Sequence, residues 1–194
     1  MMNLRSLLLF TCVICLSGTL LASVNNAEKR LQTAIDEVLA VANSSSGGDV
    51  LAENLRPVLK KHLSFDAMTR RAVGPGWRQF SDDQQDKATD LFTTLIIRTY
   101  SNKLTPGEQP NIKFKPASEP ASGRVDIPTT LLYQGSDYEV TYRMEQAEGW
   151  RITDVVIEGV SLVANYRAQL DAQFKKGGSE AIISSLIQSV DHPK

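Results

Sequence analysis

Apolar positions in this chain recur at helical spacing up to about residue 104, at every second residue from there to about residue 157, and at helical spacing again to the end. From Glu28 to Ala42, Leu31, Ile35, Val38, Leu39 and Ala42 fall on one helical face, and the polar run from Asn43 to Asp49 ends the helix. Asp49 can cap a second helix carrying Leu51, Leu55, Val58 and Leu59. Pro57, which lacks an amide donor, should bend or interrupt it. Residues 64–80 read as a short segment closed by the turn Gly74, Pro75, Gly76. Ser81 and Gln84 then have the spacing of a capping box, each able to serve the other's open amide. The helix they open runs to about Asn102 and carries Ala88, Leu91, Phe92, Leu95, Ile96, Ile97 and Tyr100, a stripe wider than one packing seam requires. It must be covered on more than one side.

In the middle section, Ile112 and Phe114 suggest a short strand. Val125, Ile127, Thr129, Leu131 and Tyr133 suggest a longer one, with Pro128 tolerable only at an edge or a bulge. Tyr138, Val140, Tyr142 and Met144 alternate with Asp137, Glu139, Thr141, Arg143 and Glu145, the pattern of an antiparallel strand with one buried face. Trp150 to Thr153 alternates as well, but Val155, Val156 and Ile157 are apolar in succession, which reads as a sheet end covered on both sides. Gly159 permits a bulge or tight approach before Ser161 caps a helix bearing Val163, Tyr166, Leu170 and Phe174. Gly177 and Gly178 end that helix, and Ser179 starts a last one through Ile182, Ile183, Leu186 and Ile187. Helices followed by a meander predict an α+β domain, with helices packed on a curved, mainly antiparallel four-stranded sheet.

The first residues change the picture of where the domain begins. Arg5, an apolar run from Leu7 to about Leu21 and a small-residue exit have the layout of a secretory signal peptide, shorter than the ~20 apolar residues that span a bilayer. The expected organisation is a cleaved signal peptide at residues 1–23, a single domain at 24–190 and a polar tail at 191–194, in the periplasm. Cys12 and Cys15 form a CxxC, but inside the apolar run and without the context of a redox site. Cleavage removes both, and the mature domain must be stable by core packing alone. The chain has 21 basic and 22 acidic residues, and with Arg5 removed the mature net charge is −2. Neither a basic stripe for nucleic acid nor a polybasic patch for anionic lipid is present.

Candidate chemistry is sparse. His62 and Asp66 stand four apart, as a pair on one helical face would, but a metal site needs about three protein ligands and the other histidine, His192, is in the tail. A surface pair is the simpler reading. Asn43, Ser44, Ser45 is sequon-like without further meaning, and Trp77, Trp150, Tyr100, Tyr138 and Tyr142 lack the interleaved basic residues of a stacking platform. An isomerase or hydrolase could use one carboxylate in an apolar pocket, and Asp154 and Glu158 fall where it would sit, though no second catalytic partner accompanies them. A structural adaptor with a filled core is a third reading.

Two stretches carry a family resemblance. Phe65 to Leu104, with its Met-Thr-Arg, Gly and Trp, Gln-Gln helix and Arg-Thr-Tyr end, and Gly149 to Leu186, with Trp, Asp, Glu-Gly-Val-Ser and Asn-Tyr-Arg, cover about two fifths of the chain. They resemble the toluene-tolerance, MlaC-type family of periplasmic phospholipid-binding proteins. The stretch from Thr105 to Glu148 departs from it, with "RVDIPTT" a weaker match to the family's strand. The resemblance implies a helix and sheet fold enclosing an apolar cavity for lipid acyl chains, and no enzymatic activity. It implies a monomeric carrier without a cofactor, whose cargo is phospholipid. Its implied partners are an outer-membrane lipoprotein complex and an inner-membrane ABC transporter with an MCE-domain subunit, which together maintain outer-membrane lipid asymmetry. Val160 carries over from the signature as a wall residue. The natural walls are the stripe from Leu91 through Leu95 to Tyr100 and the inner face of the sheet, giving Tyr142, Trp150 and Val156 as further candidates.

Overall fold

Residues 11–191 are described by a computed structural model, with side chains from residue 22 onward. Residues 1–10 of the expected signal peptide, the side chains of residues 11–21, Cys12 and Cys15 among them, and the tail beyond Asp191, including His192, lie outside what is described. In chain order the elements are helices α1 (Thr11–Ser44), α2 (Gly48–His62) and α3 (Phe65–Val73), a 3-10 turn (Gly74–Gln79), and helix α4 (Asp82–Ser101). Strands β1 (Asn111–Phe114), β2 (Ser118–Ala121), β3 (Arg124–Tyr133), β4 (Ser136–Ala147), β5 (Gly149–Ile157) and β6 (Val160–Ser161) follow, and then helix α5 (Leu162–Asp191). The strands form one antiparallel sheet in the order β1, β3, β4, β5, β6, with β2 also paired to β3.

The α+β class holds, and the sheet has six strands where the alternation predicts four. The two extra strands are short: β2 is Ser-Glu-Pro-Ala and β6 is two residues, too few to show a period. Pro128 sits where β1 ends and β2 begins, since β1 reaches Thr129 and β2 starts opposite Asp126. Its carbonyl accepts from Lys115 N at 2.9 Å. The missing amide of the same residue points the same way, so the bond it forgoes is the reciprocal one to Lys115, just past the end of β1, and the ladder to β4 is untouched.

The failed alternation in β5 has a different cause from the one its sequence suggests. Arg143 of β4 pairs with Asp154 and Met144 pairs with Ile152, so Thr153 is an extra residue, a β-bulge. The bulge moves the inward phase from Trp150 and Ile152 to Val155 and Ile157. Val156 then belongs to the opposite face, and the run of three apolar residues marks a change of phase.

The helical half follows its pattern with three differences, the first being that α2 has Gly47 at its N-cap without a side-chain cap, while Asp49, read as the cap, lies inside its first turn. Residues 65–73, read as part of a short segment, form α3, whose Phe65, Met68, Thr69, Ala72 and Val73 are buried at helical spacing. α2 runs through Pro57, which is exposed along with Glu53, so the carbonyl that loses its donor lies on the solvent side. The Ser81 and Gln84 capping box is present in both directions, at 3.3 and 3.0 Å. α5 is kinked at Gly177 and Gly178, as the two glycines predict.

Three apolar clusters result. One joins α3, α4 and α5 around Met68, Phe92 and Leu186; one sets Ala27 and Leu31 of α1 on Val125, Ile127 and Met144 of the sheet; a small one joins α1 and α2 at Ala42, Leu51 and Leu55. In the first cluster the 3-10 turn approaches α5 so closely that a Cβ at Gly76 would lie 2.7 Å from the Phe174 ring. Gly76→Ala should therefore lower stability by about 1–3 kcal/mol, as overpacking does, measured by urea denaturation. An unchanged midpoint would mean that Phe174 swings aside freely.

Candidate functional site

Between the three clusters α1 stands away from the sheet and leaves an apolar cavity of about 710 Å³, within the usual range of ligand sites of roughly 300–1,000 Å³. Its walls come from α1 (Ile35, Val38, Leu39), α2 (Leu55, Leu59), α4 (Ile96, Tyr100) and the inward positions of β3, β4 and β5, among them Leu131, Val140 and Val155. Burial orients it. His62, Met68, Ile96 and Ile152 at one end are buried, whereas Asn102, Lys103, Thr105 and Gln134 at the other are exposed and form a polar mouth. The two sides of the mouth are hydrogen-bonded. Tyr133 Oη accepts from Thr105 N at 2.8 Å and donates to Lys103 O at 3.3 Å, and Gln134 Nε2 donates to Thr105 Oγ1 and Glu108 Oε2 at 3.1 and 3.2 Å.

Two of the sequence candidates, Tyr100 and Tyr142, line this cavity. Burial pushes the Tyr142 phenol up to about 12. Tyr100 is raised too, by burial first and then by the neighbouring Tyr166 phenol. Both hydroxyls stay protonated at neutral pH. The other candidates lie elsewhere. Leu95 is buried in the helical cluster with Leu91 packed against it, because the wide α4 stripe divides: Ile96 and Tyr100, four apart, face the cavity while the rest meets the other helices. Trp150 is buried in the cluster between α1 and the sheet, and Val156 is turned from the cavity by the bulge. Val160 is 60% exposed at the β5 to β6 corner, opposite Ile157, which does line the cavity. It borders the cavity at an open corner and does not contribute to its wall.

Asp154 is 6% exposed, but it is not among the cavity-lining residues. Its Oδ1 accepts from Val163 N at 3.1 Å, and its Oδ2 accepts from Ser161 Oγ at 2.6 Å and Arg143 Nη1 at 3.1 Å. Ser161 Oγ in turn accepts from Ala164 N at 3.0 Å. The carboxylate thus anchors the start of α5 to the sheet, a structural task that occupies both oxygens. Glu158 is exposed, and its carboxylate accepts from Glu139 N at 2.5 Å.

His62 and Asp66 do not pair. Leu63 between them is extended and bridges Ile152 of β5, so the four-residue spacing crosses a break between α2 and α3. Asp66 lines a separate polar cleft beside Arg70, Trp77 and Glu145. His62 is 1% exposed, lines the cavity and bonds Glu37 of α1 through Nε2 at 2.9 Å. Glu37 also accepts from Lys61 Nζ at 2.6 Å, and Arg30 Nη2 donates to Lys61 O at 3.2 Å, so α1 is tied to the end of α2 beside the cavity. Periodicity marked Ile35, Val38, Leu39, Leu55 and Leu59 as apolar faces; it carried no signal that they enclose space.

The Lys61 hydrogen bond, and after it the His62 one, hold Glu37 at about 2 instead of the ordinary 4.5. A carboxylate depressed on folding contributes stability that is present above its unfolded pKa and lost as pH falls through the folded one. The stability gap between the parent protein and Glu37→Gln should therefore be largest above about pH 4.5 and close towards pH 2, measured by urea midpoints across that window. A gap that stays constant across it would show that the Glu37 charge is not what ties the helices. For the anchor of α5, Asp154→Ala should cost about 2–4 kcal/mol, from a lost helix cap and lost charged hydrogen bonds. The same denaturation series checks it.

The sequence model of the MlaC protein family matches residues 32–188. No curated protein sequence matches the chain. Among solved structures, a phospholipid-binding protein from Ralstonia solanacearum, in complex with a phospholipid, is similar over 86% of this chain and 97% of its own, with 26% identity and a TM-score of 0.79. The family match takes in the walls, floor and mouth of the cavity as well as the Asp154 anchor, and on that ground the chain belongs to the MlaC protein family.

Proposed function

We propose that this protein is a periplasmic phospholipid carrier that binds acyl chains in the cavity and moves lipid between an outer-membrane lipoprotein complex and an inner-membrane ABC transporter with an MCE-domain subunit, supporting outer-membrane lipid asymmetry. The observation that carries the reading is the cavity of about 710 Å³, apolar within and polar at its mouth, in a chain of this family. The structural relative with a phospholipid bound supports the cargo class. The reading of a filled-core adaptor loses its basis in such a cavity, and that of an isomerase or hydrolase loses its carboxylate to the α5 anchor.

Burial of acyl chain is worth about 0.8 kcal/mol per methylene, so two chains of roughly fifteen methylenes each hold ~24 kcal/mol against release into water. Release must therefore be a handover at a docked complex, where one apolar environment replaces another. The mouth presents Asn102, Lys103 and Gln134 without an arginine cluster, which suits a headgroup that stays near water and is weakly discriminated.

Organic extraction of the natively purified protein should yield about one phospholipid per chain, quantified by mass spectrometry. Val155→Glu, which aims a carboxylate into the apolar wall, should lose most of that lipid while keeping its circular dichroism spectrum. A parent protein that is consistently empty after purification and after incubation with phospholipid vesicles would remove the carrier reading.

A further inference from the structure

The cavity wall is hydrocarbon along most of its depth, and the polar groups well inside it are few, the Tyr142 and Tyr100 hydroxyls and the His62 ring among them. Tyr138, at the mouth, and Tyr142 both face inward from β4. Four residues of strand place Tyr142 about 14 Å further in. There its neighbours in the wall include Val140 on its own strand and Val155, its partner on β5. No hydrogen bond joins its hydroxyl to any described residue, in contrast to Tyr133, whose hydroxyl is used twice at the mouth. His62, in the same lining, has its Nε2 taken by Glu37, while its Nδ1 is buried without a partner. A plain alkyl chain laid across Tyr142 strips water from the phenol and returns no hydrogen bond, and a buried unpaired hydroxyl is unfavourable.

The geometry points to Tyr142 as a specificity-determining residue that favours phospholipids carrying a hydroxyl group in mid-chain over those with unsubstituted chains. The inference rests on the carrier reading, and its depth argument sets the kind of group concerned. An oxygen about 14 Å from the mouth belongs to the middle of an acyl chain, not to the headgroup or the glycerol esters, which must stay near the polar rim. A chain hydroxyl accepts from Tyr142 Oη, and phenylalanine at this position would keep the shape of the wall while removing the donor. Selection arises from the difference between a paired and an unpaired phenol, since the remaining methylenes of the two cargoes meet the same wall.

The test is competitive loading of the full protein from vesicles containing equal parts of stearoyl phosphatidylcholine and its mid-chain hydroxystearoyl counterpart. Total phospholipid per protein and the ratio of the two species are measured together by mass spectrometry. The parent protein should be enriched in the hydroxylated lipid by about fivefold to tenfold over Tyr142→Phe, the worth of one net hydrogen bond, with equal total loading. Comparing the two proteins removes the general tendency of a hydroxyl to leave a bilayer core. Normal loading with the same ratio in both overturns the inference alone, including the case of a fixed water that already satisfies the phenol. Absence of loading in both overturns the carrier reading and the inference with it. If Tyr142→Phe fails to fold, the parent decides, and a ratio no higher than that of the vesicles overturns the proposal.

Discussion

The structure depends on holding an apolar space open. About 710 Å³ of mostly apolar space lies between the elements and opens at a polar mouth. The other end is buried among Met68, Ile96 and Ile152, and water admitted there would meet mostly hydrocarbon. An apolar ligand would cover that hydrocarbon. A ligand bound there would stabilise the folded protein by mass action.

The scaffold meets this constraint by closing the cavity around its ends. Ala27 and Leu31 seat one part of α1 on the sheet, the Ala42, Leu51 and Leu55 cluster joins its other part to α2, and Glu37 fastens the middle of α1 to Lys61 and His62. On the opposite side Asp154 holds α5 to β4 and β5 through Arg143, Ser161 and Val163 N. Apart from His62, which is itself part of the lining, these polar ties lie beside the cavity, which leaves most of its wall apolar and places charge where it can be paired. Tyr133 and Gln134 do the same at the mouth, where hydrogen bonds connect the turn after β3 to the loop that follows α4.

Much of this was legible in the residues. The helical faces, the capping box at Ser81 and Gln84, the alternation of β3 and β4 and the cap at Ser161 are local, and each appears where its spacing predicts. So does the break at Gly177 and Gly178. Motif spacing also pointed to the family. β2 and β6 were not legible, being shorter than the period that would announce them. α3 was hidden by its length, and Tyr100 and Tyr142 were named for the cavity together with five residues that the fold places elsewhere.

The sequence by itself determined which residues must leave water and on which face of each element they lie, because the periods of helix and strand are properties of the local chain. Only the tertiary structure decided whether those faces meet or stand apart. Leu95 and Ile96 are adjacent and equally apolar members of the helical cluster, yet only Ile96 also bounds the cavity. Val155, Val156 and Ile157 are alike in sequence, and the single extra residue at Thr153 determines which of them face inward. Burial is a demand each side chain makes alone; enclosed volume is set by distances between elements far apart in the chain, and no local pattern encodes it.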